Sequence, residues 1–129
     1  VNVPHCFSVD PRYMFYTGTD WYFKKFAGDA PAGDRVFLRF DAVFYKSKVW
    51  LNGVLIGEHE GGYTPFELDI TAGIKKENVL AVEVNNAWDT TTIPGAKTTV
   101  AFESSNAAQV YPWINYGGLT RSVHLLTRP

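Results

Sequence analysis

The sequence predicts an all-β sandwich, and three observations predict it. Apolar and polar residues alternate in several short segments, turn residues recur about every ten residues, and no segment sustains the spacing of an amphipathic helix. The 129 residues can bury a hydrophobic core, and 16% of them are aromatic, a class enriched in strands. We therefore expect residues 1–129 to form one domain of roughly seven to nine short antiparallel strands.

Alternation places the strands and predicts which of their side chains face the core. The strand pattern is found in Trp21–Phe26, Arg35–Phe40, Val43–Asn52, Val54–Ile56, Pro65–Ile70, Asn78–Asn85 and Thr120–Thr127. Val1 to Pro4 has the character of a further strand already under way, which indicates a chain cut from a longer protein. The predicted core side chains are Val36, Leu38, Phe40, Phe66, Leu68, Ile70, Leu80, Val82 and Val84. In the last strand, Val123 and Leu125 are predicted to lie on one face.

The connections are predicted from turn residues. Asn52-Gly53 between two apolar runs is the strongest short signal for a two-residue hairpin. The glycine-rich segment from Gly57 to Thr64 predicts a loop, and Thr71 to Asn78 is the one place for a helical turn. From Asn86 to Tyr116 the pattern fails over about thirty residues, and irregular stretches of that length are usually functional or disordered.

Charge and cysteine content exclude several classes of function. Twelve basic and thirteen acidic residues give a formal charge of −1, so neither a nucleic-acid nor a membrane partner is expected. No run of about 18 apolar residues predicts a membrane span, and the start lacks the pattern of a signal peptide. The only cysteine, Cys6, excludes an internal disulfide and is predicted to be a small buried side chain.

No residue pattern predicts a metal or a cofactor. His5, His59 and His124 are far apart and lack a metal-binding spacing, and no phosphate-binding glycine loop or nucleophile elbow is present. Glu58 and Glu60 flank His59 beside a glycine-rich segment, but nothing in the sequence would separate their pKa values as acid and base catalysis requires. A structural role is the preferred interpretation of this acidic pair.

A second acidic pair, Glu67 and Asp69, shares the strand face that points away from the predicted core. A solvated sheet face is the simpler interpretation of that pair. Aromatic side chains offer another chemistry, because ring faces stack on the apolar side of a pyranose while polar neighbours bind its hydroxyls. Candidate aromatics in or beside the irregular stretch are Trp88, Tyr111, Trp113 and Tyr116. Trp21 and Trp50 lie in strands, which favours packing in the core or on a sheet face.

Several motifs follow one another in an order that covers nearly the whole chain. They are Val3-Pro4-His5, residues 21–26, 35–40, 49–53, 57–66, 78–86 and 115–123. Together they resemble the N-terminal sugar-binding domain of family 2 glycoside hydrolases, with residues 35–66 the most specific part. The resemblance implies a jelly-roll sandwich of the galactose-binding-domain type. Thr92–Gly95 and Asn115–Gly118 resemble the β-glucuronidase branch more than the β-galactosidase branch.

The resemblance implies a three-part parent enzyme: this jelly roll, an immunoglobulin-like domain and a TIM barrel with two catalytic glutamates. The resemblance implies that the parent is a retaining O-glycosyl hydrolase. It also implies that none of the catalytic residues lies in this chain. In β-glucuronidases an acid three residues before the Asn-Tyr-Gly-Gly-like motif contributes to the active-site rim, but this position is Pro112 here. Proline cannot bind a sugar hydroxyl, so Trp113 is the candidate for stacking instead. The predicted rim residues are Trp113, Asn115, Tyr116 and Trp88.

Three functions are compatible with these observations. The first is an accessory domain that shapes the active-site rim and supports assembly, with the remaining domains of the parent as partners, a glycan as a further partner and a homo-oligomeric parent. The second is an autonomous carbohydrate-binding module that uses loop aromatics. The third is a structural interaction domain with an aromatic surface. The lone cysteine and the resemblance favour a periplasmic or secreted location over the cytoplasm.

Overall fold

The structure, a computed structural model, describes residues 1–95 and 114–129. Within these residues seven strands form two antiparallel sheets, which confirms the predicted all-β sandwich. Two short 3₁₀ helices, Phe7–Val9 and Pro11–Tyr13, precede the first strand. The strands are β1 (Thr19–Ala27), β2 (Arg35–Phe40), β3 (Lys46–Leu51), β4 (Val54–Glu60), β5 (Phe66–Asp69), β6 (Glu77–Asn85) and β7 (Val123–Arg128).

One sheet has four strands in the order β1-β6-β3-β4, and the other has three in the order β5-β2-β7. The core lies between them, because alternate side chains of each sheet point inward. Val36, Leu38 and Phe40 of β2 face Leu80, Val82 and Val84 of β6, as the alternation predicts. Ile70 is also buried in the core, while Phe66, Leu68 and Val123 pack against its edge.

The Asn52-Gly53 hairpin is confirmed. Both residues have positive φ, 52° at Asn52 and 84° at Gly53, as a type I′ turn requires. The Asn52 side chain also donates to the Gly73 carbonyl and the Asn78 Oδ1, each at 3.0 Å, and accepts from the Val79 N–H at 2.9 Å. The turn therefore anchors β3 and β4 to the chain segment that enters β6.

The predicted loop at 57–64 is wrong over its first four residues, because β4 continues to Glu60. Glu58 and Glu60 lie opposite Lys48 and Lys46 of β3, with carboxylate-to-ammonium distances of 3.8 Å in both pairs. Cross-strand ion pairs stabilise a strand that alternation alone does not reveal. The two glutamates have the structural role that the sequence favours.

Three further predictions need correction. Val1 to Pro4 form no strand: His5 and Phe7 donate to the Leu119 and Gly117 carbonyls, but Pro4 has no N–H to extend a ladder. A hydrogen-bonded turn closed by the Ile70 carbonyl does form in the segment 71–78, but it is not the one place for helical structure, because the two 3₁₀ helices precede β1. Cys6 is half-buried. Val123 and Leu125 lie on one face of β7, as predicted, opposite Phe40 and Leu38.

A long groove separates the two edge strands β1 and β7. Its volume is about 870 Å³, and its walls include the core side chains Leu80 and Val82 together with Lys24 and Leu125. On the sides away from β6 and β2, these strands have no strand partner among residues 1–95 and 114–129. The sandwich is therefore open along this side. In the same residues no helix is long and apolar enough to cross a membrane.

The outer face of the three-stranded sheet is exposed, as predicted for Glu67 and Asp69, and its carboxylates form ion pairs. Arg128 donates to both carboxylate oxygens of Glu67 at 2.8 Å, and Arg35 pairs with Asp69. Asp69 also accepts from the Thr71 hydroxyl at 2.6 Å and the Thr71 N–H at 2.9 Å. The Thr71 hydrogen bonds, followed by Arg35, lower the pKa of Asp69 to about 2.

The low pKa of Asp69 predicts a loss of stability in acid. A carboxylate with a lower pKa in the folded state stabilises the fold above its unfolded pKa of about 3.9 and loses that effect as the pH falls toward 2. We expect Asp69→Asn to flatten the decline of Tm between about pH 4 and pH 2. Thermal unfolding of both variants across this pH range measures the slope of Tm against pH. Asp29→Asn is the control, because it removes one negative charge at another exposed position. Equal slopes in the two variants would contradict the prediction.

Candidate functional site

Two asparagines join the end of β6 to the segment that leads into β7. Asn86 is fully buried, and its Nδ2 donates to the Asn115 carbonyl at 2.6 Å and the Tyr16 carbonyl at 2.9 Å. Its Oδ1 accepts from the Gly18 N–H at 2.8 Å, and the Asn115 amide donates in return to the Asn86 carbonyl. Buried amides that satisfy backbone groups in this way fix the local chain path. The network holds residues 16–18, 86 and 115 together.

Tyr116 directly follows Asn115, and its ring belongs to a cluster of three aromatic residues. The fully buried Phe44 forms the base, with its ring centroid 4.6 Å from that of Tyr116 and 5.7 Å from that of Tyr63. The Tyr116 hydroxyl donates to the Tyr63 hydroxyl at 3.3 Å, and Tyr63 is 47% exposed. Phe44 and Gly118 exchange backbone hydrogen bonds of 3.0 and 3.2 Å. We call Phe44, Tyr63 and Tyr116 the tyrosine cluster.

Two glycines permit the close packing around this cluster. A Cβ atom on Gly62 would overlap the Phe44 ring, with its Cε2 carbon at only 2.6 Å. A Cβ atom on Gly117 would lie 2.7 Å from Phe7 Cε1 and 2.8 Å from Asn86 Cβ. Real side chains do not approach this closely, so the sequence must be glycine at both positions for the rings to pack.

The segment 92–95, which follows β6, reaches the tyrosine cluster through Tyr45. The Ile93 N–H donates to the Tyr45 hydroxyl at 3.1 Å, and Tyr45 packs against Phe44 with a centroid distance of 5.5 Å. The buried Thr92 hydroxyl donates to the Pro94 carbonyl at 2.8 Å. The fold thus brings together the two motifs, 92–95 and 115–118, that resemble the β-glucuronidase branch.

The electrostatics of the cluster suit binding rather than proton transfer. Burial, followed by the hydrogen bond to Tyr63, raises the pKa of Tyr116, so its hydroxyl stays neutral at physiological pH. Neutral phenols both donate and accept, which matches the hydroxyls of a sugar. Asn115 Oδ1 is buried and has no partner among the described residues. Over the same residues, no three or more His, Cys, Asp or Glu side chains gather as a metal site would need.

The structure brings together only part of the predicted site. Tyr116 belongs to the tyrosine cluster and Asn115 directly precedes it, whereas Trp88 lines a different cleft on the outer face of the four-stranded sheet. Trp113, with Tyr111 and Pro112, lies outside the described residues.

Sequence reasoning did not single out Phe44, Tyr63 or Asn86 as parts of this site. The available signal for Tyr63 is its position directly after Gly61-Gly62 in the most specific motif of the family resemblance. Phe44 and Asn86 carry no comparable signal, because an aromatic residue in a strand and an asparagine after a strand fit ordinary structure equally well.

A two-sheet sandwich with aromatic and amide groups clustered at one end is typical of a binding or accessory domain. The comparisons with known proteins agree with this class. The family described as "Glycosyl hydrolases family 2, sugar binding domain" matches residues 1–129, and the chain belongs to this family.

Similar proteins include both β-galactosidases and β-glucuronidases. A β-galactosidase of Thermoanaerobacter pseudethanolicus is 42% identical over 94 residues, which are 67% of this chain and 13% of that protein. A β-glucuronidase of Streptococcus agalactiae is 30% identical over 122 residues, 88% of this chain and 20% of that protein. The chain therefore spans about a fifth or less of the length of these two relatives.

Solved structures give the same result. A Bifidobacterium dentium β-glucuronidase in complex with coumarin-3-O-glucuronide has a TM-score of 0.87 and 33% identity, and it matches all of this chain over 25% of its own. A Lactobacillus rhamnosus β-glucuronidase has a TM-score of 0.84 and 35% identity, over 100% of this chain and 23% of its own. The chain is thus an all-β domain of a kind found within much longer glycosidases.

Proposed function

We propose that the chain is the non-catalytic N-terminal domain of a longer β-glucuronidase-like or β-galactosidase-like enzyme, a retaining O-glycosyl hydrolase. Its tyrosine cluster helps to shape the rim of that enzyme's active site. The observation that carries this proposal is the position of the Tyr63 and Tyr116 hydroxyls, held 3.3 Å apart at the surface above the buried Phe44 ring. A rigid aromatic base with neutral hydroxyls above it contributes binding and orientation, not bond cleavage.

The buried asparagine network supports the same role. It ties the chain ahead of Tyr116 to Asn86 and Tyr16, so the position of the Tyr116 ring does not depend on the neighbouring loop alone. A group whose position is fixed before the substrate arrives loses little conformational freedom on binding. Asn115 itself is 5% exposed and acts on the rim through this positioning.

Removing one tyrosine hydroxyl in the full-length enzyme tests the rim. We expect Tyr63→Phe to raise KM about 3- to 10-fold with a smaller change in kcat, because one hydrogen bond to the substrate is lost. Hydrolysis of an aryl β-glucuronide and an aryl β-galactoside measures both constants. Tyr13→Phe is the control, since Tyr13 has similar exposure but lies in the second 3₁₀ helix. An unchanged KM for both substrates in Tyr63→Phe would overturn the rim role.

A second surface supports the role in assembly. Val9, Tyr13, Phe15 and Tyr16 lie close together along the chain before β1, and all four are exposed. Neighbouring exposed apolar side chains of this kind favour a contact with another protein surface. The proposed partners of this surface are the remaining domains of the parent enzyme. A second subunit of a homo-oligomeric parent is a further proposed partner.

A further inference from the structure

The outer face of the four-stranded sheet carries an ordered arrangement of side chains. Residues opposite one another in neighbouring strands point to the same face. Trp21 pairs with Glu83 and Glu83 pairs with Lys48, which makes one row across β1, β6 and β3. Phe23 pairs with Ala81 and Ala81 pairs with Trp50, which makes the next row. Aromatic and charged groups thus lie side by side on this face.

The aromatic members of these rows meet above β6. The Trp21 and Trp50 ring centroids are 5.1 Å apart, although a whole strand separates β1 from β3. The small Ala81 side chain beneath them leaves the space for this approach. Phe23 continues the surface, with its ring nearly parallel to that of Trp21 and its centroid 6.0 Å away. Trp21 is 43% and Phe23 is 70% exposed, so the surface is open to solvent.

A shallow cleft adjoins this aromatic surface. It has a volume of about 430 Å³, and Glu83 and Lys48 form part of its wall. At its far end lies Trp88, just beyond the end of β6. From Ala81 to Asn85 the strand rises roughly 13 Å. The face therefore has aromatic side chains at both ends and hydrogen-bonding groups between them, over the length of a short oligosaccharide.

We propose that this strip, made of Trp21, Phe23, Trp50, Lys48, Glu83 and Trp88, binds an extended, uncharged glycan. The exposed rings stack on the apolar faces of successive sugars, and the lysine and glutamate side chains bind their hydroxyls. None of its six residues belongs to the tyrosine cluster. The strip would hold a polymeric substrate on the enzyme independently of the active-site rim.

The charges of the cleft select among possible occupants. Two lysines line it against three glutamates and one aspartate, a formal charge of −2. Each lysine already has a glutamate partner at 3.8 Å. A polyuronate would therefore meet net repulsion, whereas a neutral polysaccharide meets no such cost. The chemistry favours a neutral glycan chain.

Affinity electrophoresis of the full-length protein tests the strip. The gels contain arabinoxylan, mixed-linkage β-glucan or polygalacturonate. We expect at least one neutral polysaccharide to retard the protein, and Phe23→Ala to weaken the apparent affinity about tenfold. Val54→Ala is the control, because Val54 is 65% exposed at the start of β4 and belongs neither to the strip nor to the surface before β1. Thermal unfolding of both variants verifies that the fold is intact.

Equal loss of retardation in Phe23→Ala and Val54→Ala would overturn the proposal. The proposal is also overturned if neither neutral polysaccharide retards the protein, which is the result expected if another domain covers this face. It is overturned as well if polygalacturonate is the only polysaccharide that retards the protein. Retardation in the gel and hydrolysis of aryl glycosides are separate measurements. A negative result in the gel therefore leaves the proposed rim role of the tyrosine cluster intact, and an unchanged KM in Tyr63→Phe leaves the glycan-binding strip testable.

Discussion

Replacing Gly62 with alanine is expected to destabilise the domain by about 3 kcal/mol, because the added methyl group would occupy the space of the Phe44 ring. Phe44 is fully buried and its backbone is hydrogen-bonded to Gly118, so neither the ring nor the chain can move aside without further loss. For a domain of this size the change corresponds to a decrease in Tm of roughly 10 °C. Thermal or urea unfolding measures it.

Gly73→Ala is the matched control for this experiment. A Cβ at Gly73 would meet Leu51 Cδ2 at 3.5 Å, an ordinary contact distance, and its φ is not in the left-handed region. This variant should be neutral or slightly more stable, because alanine restricts the unfolded chain. Equal effects at the two positions would mean that the Phe44 packing is not the reason for glycine at residue 62. Gly62→Ala should also displace Tyr63, and so alter KM in the full-length enzyme.

The second large effect is expected at Asn86. Asn86→Ala removes two amide donors and one acceptor from a fully buried position, and leaves the Tyr16 and Asn115 carbonyls and the Gly18 N–H without this partner. Each unsatisfied buried group costs about 1–3 kcal/mol, of which relaxation recovers a part. We expect a loss of about 3 kcal/mol in the free energy of unfolding, measured by urea denaturation.

Asn86→Asp separates the donors from the acceptor. The aspartate can still accept from the Gly18 N–H but cannot donate to the Tyr16 and Asn115 carbonyls, and its charge would be buried. It should therefore be no more stable than Asn86→Ala. The exposed Asn2→Ala serves as the control for loss of an asparagine amide. A wild-type stability for Asn86→Asp would show that the donated hydrogen bonds contribute little.

The sandwich could be predicted because its central strands bury one face. In β2 and β6 every second side chain enters the core, so the period of two is visible in the sequence. The last part of β4 could not be predicted in this way. Its residues Glu58, His59 and Glu60 resemble loop residues, and their strand conformation depends on pairing with β3. Such pairing is invisible until the partner strand is known.

The candidate site could be predicted only in part, because its members are far apart in the sequence. Asn115 and Tyr116 were predicted from a motif that lies within one segment. Tyr63 is 53 residues before Tyr116. The two come into contact only because the connection between β4 and β5 lies beside the segment that leads into β7. Phe44 joins them through ring contacts with both tyrosines and through an isolated backbone bridge to Gly118. No local pattern in the sequence encodes a contact of this kind.

The position of Lys24 bears on how the domain avoids aggregation. Lys24 lies in the edge strand β1 opposite Leu80, so its side chain points toward the groove beside the core, between the inward-facing Tyr22 and Phe26. A second strand that added to this edge would have to bury the ammonium group in an apolar layer. Inward-pointing charges on edge strands oppose such pairing between molecules. The same lysine that interrupts the apolar pattern of β1 thus protects the open side of the sandwich against growth into a larger sheet.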